Sequence, residues 1–379
     1  IDAVTKADVT ADIDTIANDP TYGIAFKLRG EYNGAPVGGG GKTGSVLSLR
    51  DQDEPFPIQV DVRSANTRVA AEGTVTRPAH LAGIDLKLTL AAPSMARLYP
   101  FTGVLLPETP AFSTEGHLTG ELGHNKSRWV YDKFKGKVGQ SDIAGHLEFA
   151  TGKPRNKLTG TVVSHQLRFV DLGPLIGADS NASKRARGVD AVQPEGKALP
   201  VEKFHTERWK VLDADVRFTA DRIVKDKDLP ISKLQSHVVM NDGVLTLQPL
   251  DFVLAGGNVN SNIKLDGSNA KQPIKATADV KARDIHIKEL FPQIEKMQAT
   301  VGSIYGEAKL TATGDSVGAM LADANGEVKG LISQGVVSKL LLEEAGLNVA
   351  NVIIAKLFGD KQVQLNCLAA DLGVTDGVA

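Results

Sequence analysis

The sequence predicts a mainly β (α+β) protein: an elongated, curved antiparallel sheet or β-groove built from repeats, with a few short helices mostly near the C-terminus. Three observations predict it. Apolar and polar residues alternate with a period of two in many stretches. Glycine, proline, asparagine or aspartate separates these stretches, as turns between strands require. Similar units recur along the chain, which favours an extended array over a compact sphere.

The alternating stretches indicate strands with one apolar and one polar face, the pattern of an antiparallel sheet with one wet side. IDLKLTL is the clearest, with aliphatic residues on one face and Asp85, Lys87 and Thr89 on the other. PIQVDVR, DADVRFTA and NVNSNIKLDG follow the same rule. We expect the apolar members to line a groove, and these are Ile58, Val60, Val62, Ile84, Leu86, Leu88, Leu90, Val216, Phe218, Val259, Ile263 and Leu265.

The recurring unit has two parts. A strand opens near a glycine in stretches such as AEGTVTRP, IAGHLEFA and ANGEVKGLIS. An alternating strand also runs into a short proline-containing segment in LKLTLAAPSMARLYPFTG, HQLRFVDLGPLIG and VKARDIHIKELFP. We interpret the second pattern as a β-unit followed by one helical turn, which occurs in these three places.

A polar stretch divides the chain. Residues 178–199 contain scattered glycine and proline with few large apolar residues, which is typical of a linker or loop. On this basis residues 1–177 form a repeating β-groove segment, and residues 200–379 form a C-terminal β segment with short helices.

Helix signals are few and late in the chain. GDSVGAMLADANG has Asp315 or Ser316 as the N-cap of a short helix. It also matches the G-x-S-x-G of a nucleophile elbow, but the last histidine, His286, precedes the serine, and that class of hydrolase needs a later one. VVSKLLLEEAGLNVANVIIAKLFGD reads as two short helices with a break near Gly346.

The stretch GAPVGGGGKTG resembles the phosphate-binding pattern G-x-x-x-x-G-K-[ST]. Pro36 stands where the first glycine should be, and an alternating stretch follows instead of the helix that such a loop requires. We therefore interpret it as a glycine-rich turn between two strands.

No other stretch predicts catalysis, and we expect no catalytic, cofactor-binding or metal-binding residues and no enzyme activity. A formal net charge of -2 creates no field that would attract nucleic acid, so none is expected as a partner. The eight histidines are scattered without the H-x-H or H-x-x-x-H spacing of a metal site. The single cysteine, Cys367, excludes an intrachain disulfide.

Several motifs in combination resemble the AsmA family of Gram-negative envelope proteins. YGEAKLTATGDSVGAMLADANGEVKGLIS contains an L-T-A-T-G-x-S strand-to-helix step and an NGEV strand opening. The apolar double helix follows, and then a strand with Cys367 and the motif DLGVTDG. VRSANTRVAAEGTVTRPAHLAGIDLKLTLAAPSMARLYPFTGVLLPETPAF resembles the repeated β-unit of the family. The resemblance covers most of the chain outside the linker.

The resemblance implies a rolled sheet that forms a hydrophobic gutter for acyl chains, with a role in outer-membrane biogenesis. Its expected partners are phospholipid or another acyl-chain lipid and an outer-membrane assembly partner. It further implies a periplasmic protein held in the inner membrane by an N-terminal helix that this chain lacks. Ser316 and Cys367 would then be packing residues.

A second interpretation fits the same alternation. The sheet could fold on itself as a dry sandwich, and the protein would then be a structural or assembly scaffold at the inner membrane. The residues alone leave both interpretations open, and the family resemblance favours the lipid groove.

Overall fold

The structure is a computed structural model that describes most of the chain. The described residues are 7–32, 35–46, 54–77, 83–99, 104, 106–123, 126–179, 181–186, 190, 193–194, 199–224, 230–290, 302–333, 335–338 and 362–379.

Strands dominate the described residues, as the alternating stretches predict. They are β1 (Ala7–Thr15), β2 (Ile24–Tyr32), β3 (Ala35–Thr43), β4 (Phe56–Ser64), β5 (Thr67–Thr76), β6 (Gly83–Ala92), β7 (Phe112–Leu122), β8 (Ser127–Val138), β9 (Ser141–Ala150), β10 (Asn156–Ser164), β11 (Leu167–Arg168), β12 (Leu212–Ala220), β13 (Ile223–Val224), β14 (Ile231–Asn241), β15 (Val244–Leu254), β16 (Gly257–Asp266), β17 (Ile274–His286), β18 (Ser303–Gly314), β19 (Asn325–Ile332), β20 (Gly335–Ser338), β21 (Gln362–Leu365) and β22 (Leu368–Val374).

Eighteen of the described strands form one continuous sheet. Strands β1 to β10 pair in chain order, β10 then pairs with β12, and the order continues through β14 to β19 and ends at β22. At the usual interstrand spacing the sheet extends for about 80 Å across its strands. Two short pairs, β11 with β13 and β20 with β21, lie outside it.

One strand pair departs from the predicted antiparallel order. Strands β10 and β12 pair in parallel, from Asn156 opposite Leu212 to Ser164 opposite Ala220. A parallel pair needs a crossover connection, because the chain must return to the side of the sheet where the first strand began. Residues 178–199, the predicted polar linker, belong to this connection. The sheet itself continues across it without a break.

The short helices are spread along the chain. The described residues contain six, of which three are α-helical, namely α1 (Asn181–Ala186), α2 (Ile287–Leu290) and α3 (Val317–Ala322). Three more are 3-10 helices, at Met95–Leu98, Phe169–Ile176 and Thr206–Arg208. Helix α3 is the predicted GDSVG helix. Of the predicted double helix, Val336–Ser338 belong instead to β20, and residues 339–360 lie outside the described residues.

The two long margins of the sheet differ. At one, where β6 ends and β7 begins, short helical segments cover apolar side chains, and we call it the capped margin. We call the opposite one, where β7 ends and β8 begins, the open margin; the helical segments Thr206–Arg208 and Val317–Ala322 lie farther along it, beside β12 and β18. Three core clusters lie along the capped margin, with buried members Phe112 and Phe134, then Leu167 and Ile223, then Val259 and Ile285.

Each cluster takes at least one apolar side chain from one helical segment. The contributed side chains are Met95 and Leu98 in the first cluster, Phe169 and Leu172 in the second, and Leu290 in the third. The three segments coincide with the three places where the sequence predicts a β-unit followed by a helical turn. That prediction is confirmed.

The glycine-rich stretch is a strand, and its interpretation as a turn is wrong. Residues Ala35–Thr43 form β3, which pairs with β2 on one side and β4 on the other. Phe26 stands directly opposite Gly41, and a Cβ atom on Gly41 would lie 2.7 Å from Cζ of its ring. The phenyl ring therefore occupies the space that the glycine leaves. Alternation cannot reveal such a strand, because its glycines have no side chains to alternate.

Two glycines of the recurring unit have a backbone that other residues rarely adopt. Gly73 has a φ of 153° and Gly145 a φ of 158°. A Cβ atom on either would lie 2.1 Å from a carbonyl oxygen of the next strand, that of Asp85 or Thr161. Only glycine fits such a conformation at low cost. These glycines allow neighbouring strands to approach closely on one face of the sheet.

Candidate functional site

The register of the strands brings the twelve predicted groove residues onto one face of the sheet. Leu86 stands opposite Gly73 and Leu118, and Val216 stands opposite Gly160. Directly opposed residues share a face, so the same face can be followed from β1 to β22. We call it the apolar face. That its residues contact a lipid stays a prediction.

The apolar face carries no charged side chain within the eighteen described strands. None of the residues that the strand pairings place on it is Asp, Glu, Lys, Arg or His. Its polar members are mainly serine and threonine. Such a surface offers no counter-ion to a charged group, and covering it with apolar matter removes no charge from water.

The exposure of the twelve residues varies across the face. Val259 is 5% exposed and belongs to the third core cluster, so it has little surface left for a ligand. Leu90 and Phe218 are partly buried and pack against the first and second clusters. The other nine are also partly exposed and belong to none of these clusters. The accessible part of the face therefore lies away from the capped margin.

Aromatic residues on the same face are missing from the sequence prediction. Trp129 and Tyr131 on β8 stand opposite Gly120 and Leu118, and Trp129 also stands opposite Phe149 on β9. The stretch SRWVYDKFKG does alternate at Trp129 and Tyr131, which could have identified this strand. A bulge between Tyr131 and Phe134 interrupts the alternation there.

The opposite face of the sheet carries charged side chains. The guanidinium group of Arg68 donates to both carboxylate oxygens of Asp61, at 2.6 and 3.0 Å. Arg128 makes a similar bidentate pair with Glu148, at 2.6 and 2.7 Å. These hydrogen bonds hold the pKa of Asp61 and of Glu148 below the usual values, so both carboxylates stay ionised at neutral pH. The two faces of the sheet thus differ sharply in polarity.

Every histidine within the described residues lies close to a carboxylate. The nearest nitrogen–oxygen distances are between 2.7 and 3.1 Å for His117, His146, His165, His205, His237 and His286. The carboxylate of Glu289 accepts a hydrogen bond from the imidazole of His286 and thereby raises the pKa of His286. Sequence reasoning could not identify a pair such as His165 with Asp221, because its members are 56 residues apart. The pairs lie outside the apolar face.

Of two further residues named from the sequence, Ser316 caps a helix and Cys367 lies at the surface. The hydroxyl oxygen of Ser316 accepts a hydrogen bond from the backbone N–H of Ala319, as predicted for an N-cap. Cys367 is exposed, so its expected packing role is wrong. Lys184 is buried and pairs with Glu202 at 2.7 Å. In the described part of the chain no three His, Cys, Asp or Glu side chains gather as metal ligands.

Helices of the described residues are all too short or too polar to cross a membrane. A family model described as the AsmA family matches residues 1–379. The chain is 47% identical over 366 residues to the AsmA family protein YhjG of Escherichia coli (strain K12), across 94% of the chain and 53% of that protein. The chain therefore spans about half the length of this relative. No solved structure matches the chain.

Proposed function

The chain belongs to the AsmA family, and from that premise we propose that it acts in outer-membrane biogenesis by binding or conducting phospholipid along its apolar face. One observation carries the proposal. The uncharged face continues across eighteen described strands, and the second sheet that packs on it among the described residues, β11 with β13, is two residues long and lies at the capped margin. An apolar surface of this extent needs an apolar partner.

Acyl chains supply that partner. Each methylene group that leaves water for the apolar face contributes about 0.8 kcal/mol. Successive strands present similar aliphatic side chains, so a chain that moves from one strand to the next exchanges equivalent contacts. A lipid can then be held without being fixed at one position.

The proposed activity requires no chemistry on the lipid, and we propose that the protein is not an enzyme. Its place of action would be the periplasm, with the full-length protein anchored in the inner membrane and a partner at the outer membrane. The charged opposite face suits contact with the aqueous phase.

The scaffold interpretation is the competing outcome. A sandwich would divide the strands between two facing sheets, whereas the described strands form one ladder apart from two short pairs. If the apolar face were instead packed and dry, as in a scaffold, a charge placed on it would unfold the protein.

Charge placed on the apolar face tests the proposal. Leu86→Asp and Leu88→Asp put a carboxylate on this face, and Lys87→Asp puts the same group on the opposite face between them. We expect lipid to co-purify with the wild type and with Lys87→Asp after mild extraction. We expect about a tenfold loss in the two leucine variants, because a carboxylate there must be desolvated by the lipid.

Two measurements separate the outcomes. Native mass spectrometry identifies the bound lipid, and thermal unfolding reports the stability of each variant. Lipid-free wild-type protein would refute the proposal. If the leucine variants unfold while Lys87→Asp does not, the face is a dry core and the scaffold interpretation is favoured.

A further inference from the structure

Trp129 lies on the apolar face close to the open margin. Strand β8 begins at Ser127 on that margin, so Trp129 is the next residue inward on the same face. It stands between Gly120 on β7 and Phe149 on β9, and it is partly exposed. The indole is thus at the boundary between the uncharged face and water.

Gly120 positions the indole. A Cβ atom on Gly120 would lie 3.0 Å from Cε3 of Trp129 and 2.9 Å from Cγ1 of Ile84. The two side chains therefore occupy the space that the glycine leaves, and the ring lies against the strand instead of standing above it. Any larger residue at position 120 must displace one of them.

The indole N–H of Trp129 has no protein acceptor among the described residues. This N–H is not buried away from solvent. Among the described residues, the one buried side-chain polar atom without a hydrogen-bond partner is the hydroxyl oxygen of Ser236. Tyr131, the next residue inward on the same face, differs. Its hydroxyl lies 3.1 Å from Oγ1 of Thr114 and is satisfied within the sheet.

An aromatic ring with an apolar body and an unpaired donor suits a boundary between apolar matter and water. In a glycerophospholipid that boundary lies at the ester groups, where carbonyl oxygens join the acyl chains. Inward from Trp129 the face carries no charge and, at Tyr131, a satisfied hydroxyl. The acyl chains therefore belong on the inward side, and the headgroup belongs outside the open margin.

We propose that Trp129 is a lipid-contacting residue whose indole N–H donates to an ester carbonyl of a diacyl glycerophospholipid, with Gly120 as the residue that positions the ring. This inference rests on the proposed function, which it deepens by assigning the lipid's orientation and the group that is recognised.

Tryptophan fluorescence tests the orientation. The sequence has two tryptophans, so Trp209→Phe leaves Trp129 as the single reporter, and Trp129→Phe leaves Trp209 as the control. Each variant is titrated with phosphatidylcholine brominated near the ester end or near the methyl end of its acyl chains. We expect Trp129 to be quenched most by the ester-end bromines. We expect Trp209, which packs edge-on against Phe204, to show no such preference.

An ether analogue tests the acceptor. Dialkyl phosphatidylcholine has the same headgroup but no carbonyl oxygen. We expect the wild type to bind the diacyl lipid about two- to tenfold more tightly, the value of one ordinary hydrogen bond. Trp129→Phe should remove this preference. Gly120→Ala should reduce it by displacing the ring, whereas Gly330→Ala, where a Cβ atom meets nothing within 4 Å, should not.

Each result bears on one claim. Equal or stronger quenching by methyl-end bromines overturns the orientation. A diacyl preference that survives in Trp129→Phe overturns the carbonyl contact, and equal binding of both lipids by the wild type assigns recognition to the headgroup instead. If lipid co-purifies but Trp129 is not quenched, this inference fails alone. If no lipid is bound at all, the proposed function fails first.

Discussion

Gly73→Ala tests whether the sheet depends on glycines with a positive φ. The change adds one methyl group to β5, where φ is 153° and the new Cβ atom would lie 2.1 Å from the carbonyl oxygen of Asp85. That oxygen belongs to the backbone of β6, so it cannot rotate away as a side chain would. Either β6 retreats and weakens its pairing, or β5 changes conformation.

Two costs contribute to the expected effect. An alanine held in a backbone region that suits glycine costs about 1–3 kcal/mol. The forced displacement of a packed neighbour costs about another 1–3 kcal/mol. We therefore expect the free energy of unfolding to fall by about 2–6 kcal/mol, a large part of the stability of an ordinary domain.

Gly330→Ala is the matched control. Gly330 lies on the same face, within β19, its φ is not positive, and a Cβ atom there meets nothing within 4 Å. This variant should be neutral or should gain about 0.4–1 kcal/mol, because alanine restricts the unfolded chain.

Urea unfolding followed by circular dichroism gives the two free-energy changes. Hydrogen exchange of β4 to β7 shows whether the loss is local, as expected in a long sheet whose strands contact only their neighbours. If Gly73→Ala and Gly330→Ala differ by less than about 1 kcal/mol, the glycine geometry is not what stabilises this part of the sheet.

Three further predictions concern packing, pH and a helix cap. Ile274 is 1% exposed, so Ile274→Ala should lower the free energy of unfolding by about 2–5 kcal/mol in thermal or urea unfolding, and a loss below about 1 kcal/mol would contradict its place in the core. The pKa of His286 is raised by Glu289, with Asp284 at 3.6 Å, so its contribution is complete below about pH 6.5 and is lost as the pH rises through the raised pKa. Wild type should therefore lose up to about 1 kcal/mol more than His286→Gln when urea unfolding is repeated from acid to alkaline pH, and parallel curves would refute this. Ser316→Ala removes the N-cap of α3 and should cost about 1 kcal/mol, seen as faster hydrogen exchange in α3, while unchanged exchange would show that the cap is not needed.

Strands with alternating side chains could be predicted because the period of two follows from backbone geometry alone. Leu86 and Lys87 face opposite ways wherever their strand is placed. The strand of β3 could not be predicted in this way, because Gly39 and Gly41 give no alternation. Nor could the parallel pairing of β10 with β12, since neither strand carries a local feature that specifies the direction of its neighbour.

The candidate site, too, could be predicted from the sequence only in part. Alternation identifies the apolar face but cannot tell an accessible residue such as Leu86 from one covered by a helical segment, such as Val259. That difference depends on contacts with residues far along the chain, for example Leu290 near Val259. Likewise, only the structure shows that the indole N–H of Trp129 has no acceptor among the described residues.

The order of the strands has a consequence for how such a protein can change over evolutionary time. Because nearly all neighbours in the sheet are also neighbours in the chain, a duplicated or inserted hairpin can join the ladder without displacing an existing pair. Each gained hairpin adds about 10 Å of reach, two interstrand spacings, and leaves the cross-section unchanged. The length of the sheet across its strands can therefore change in evolution while its width along the strands stays the same. Gain or loss of hairpins alone can change the length of the sheet among descendants of one ancestor.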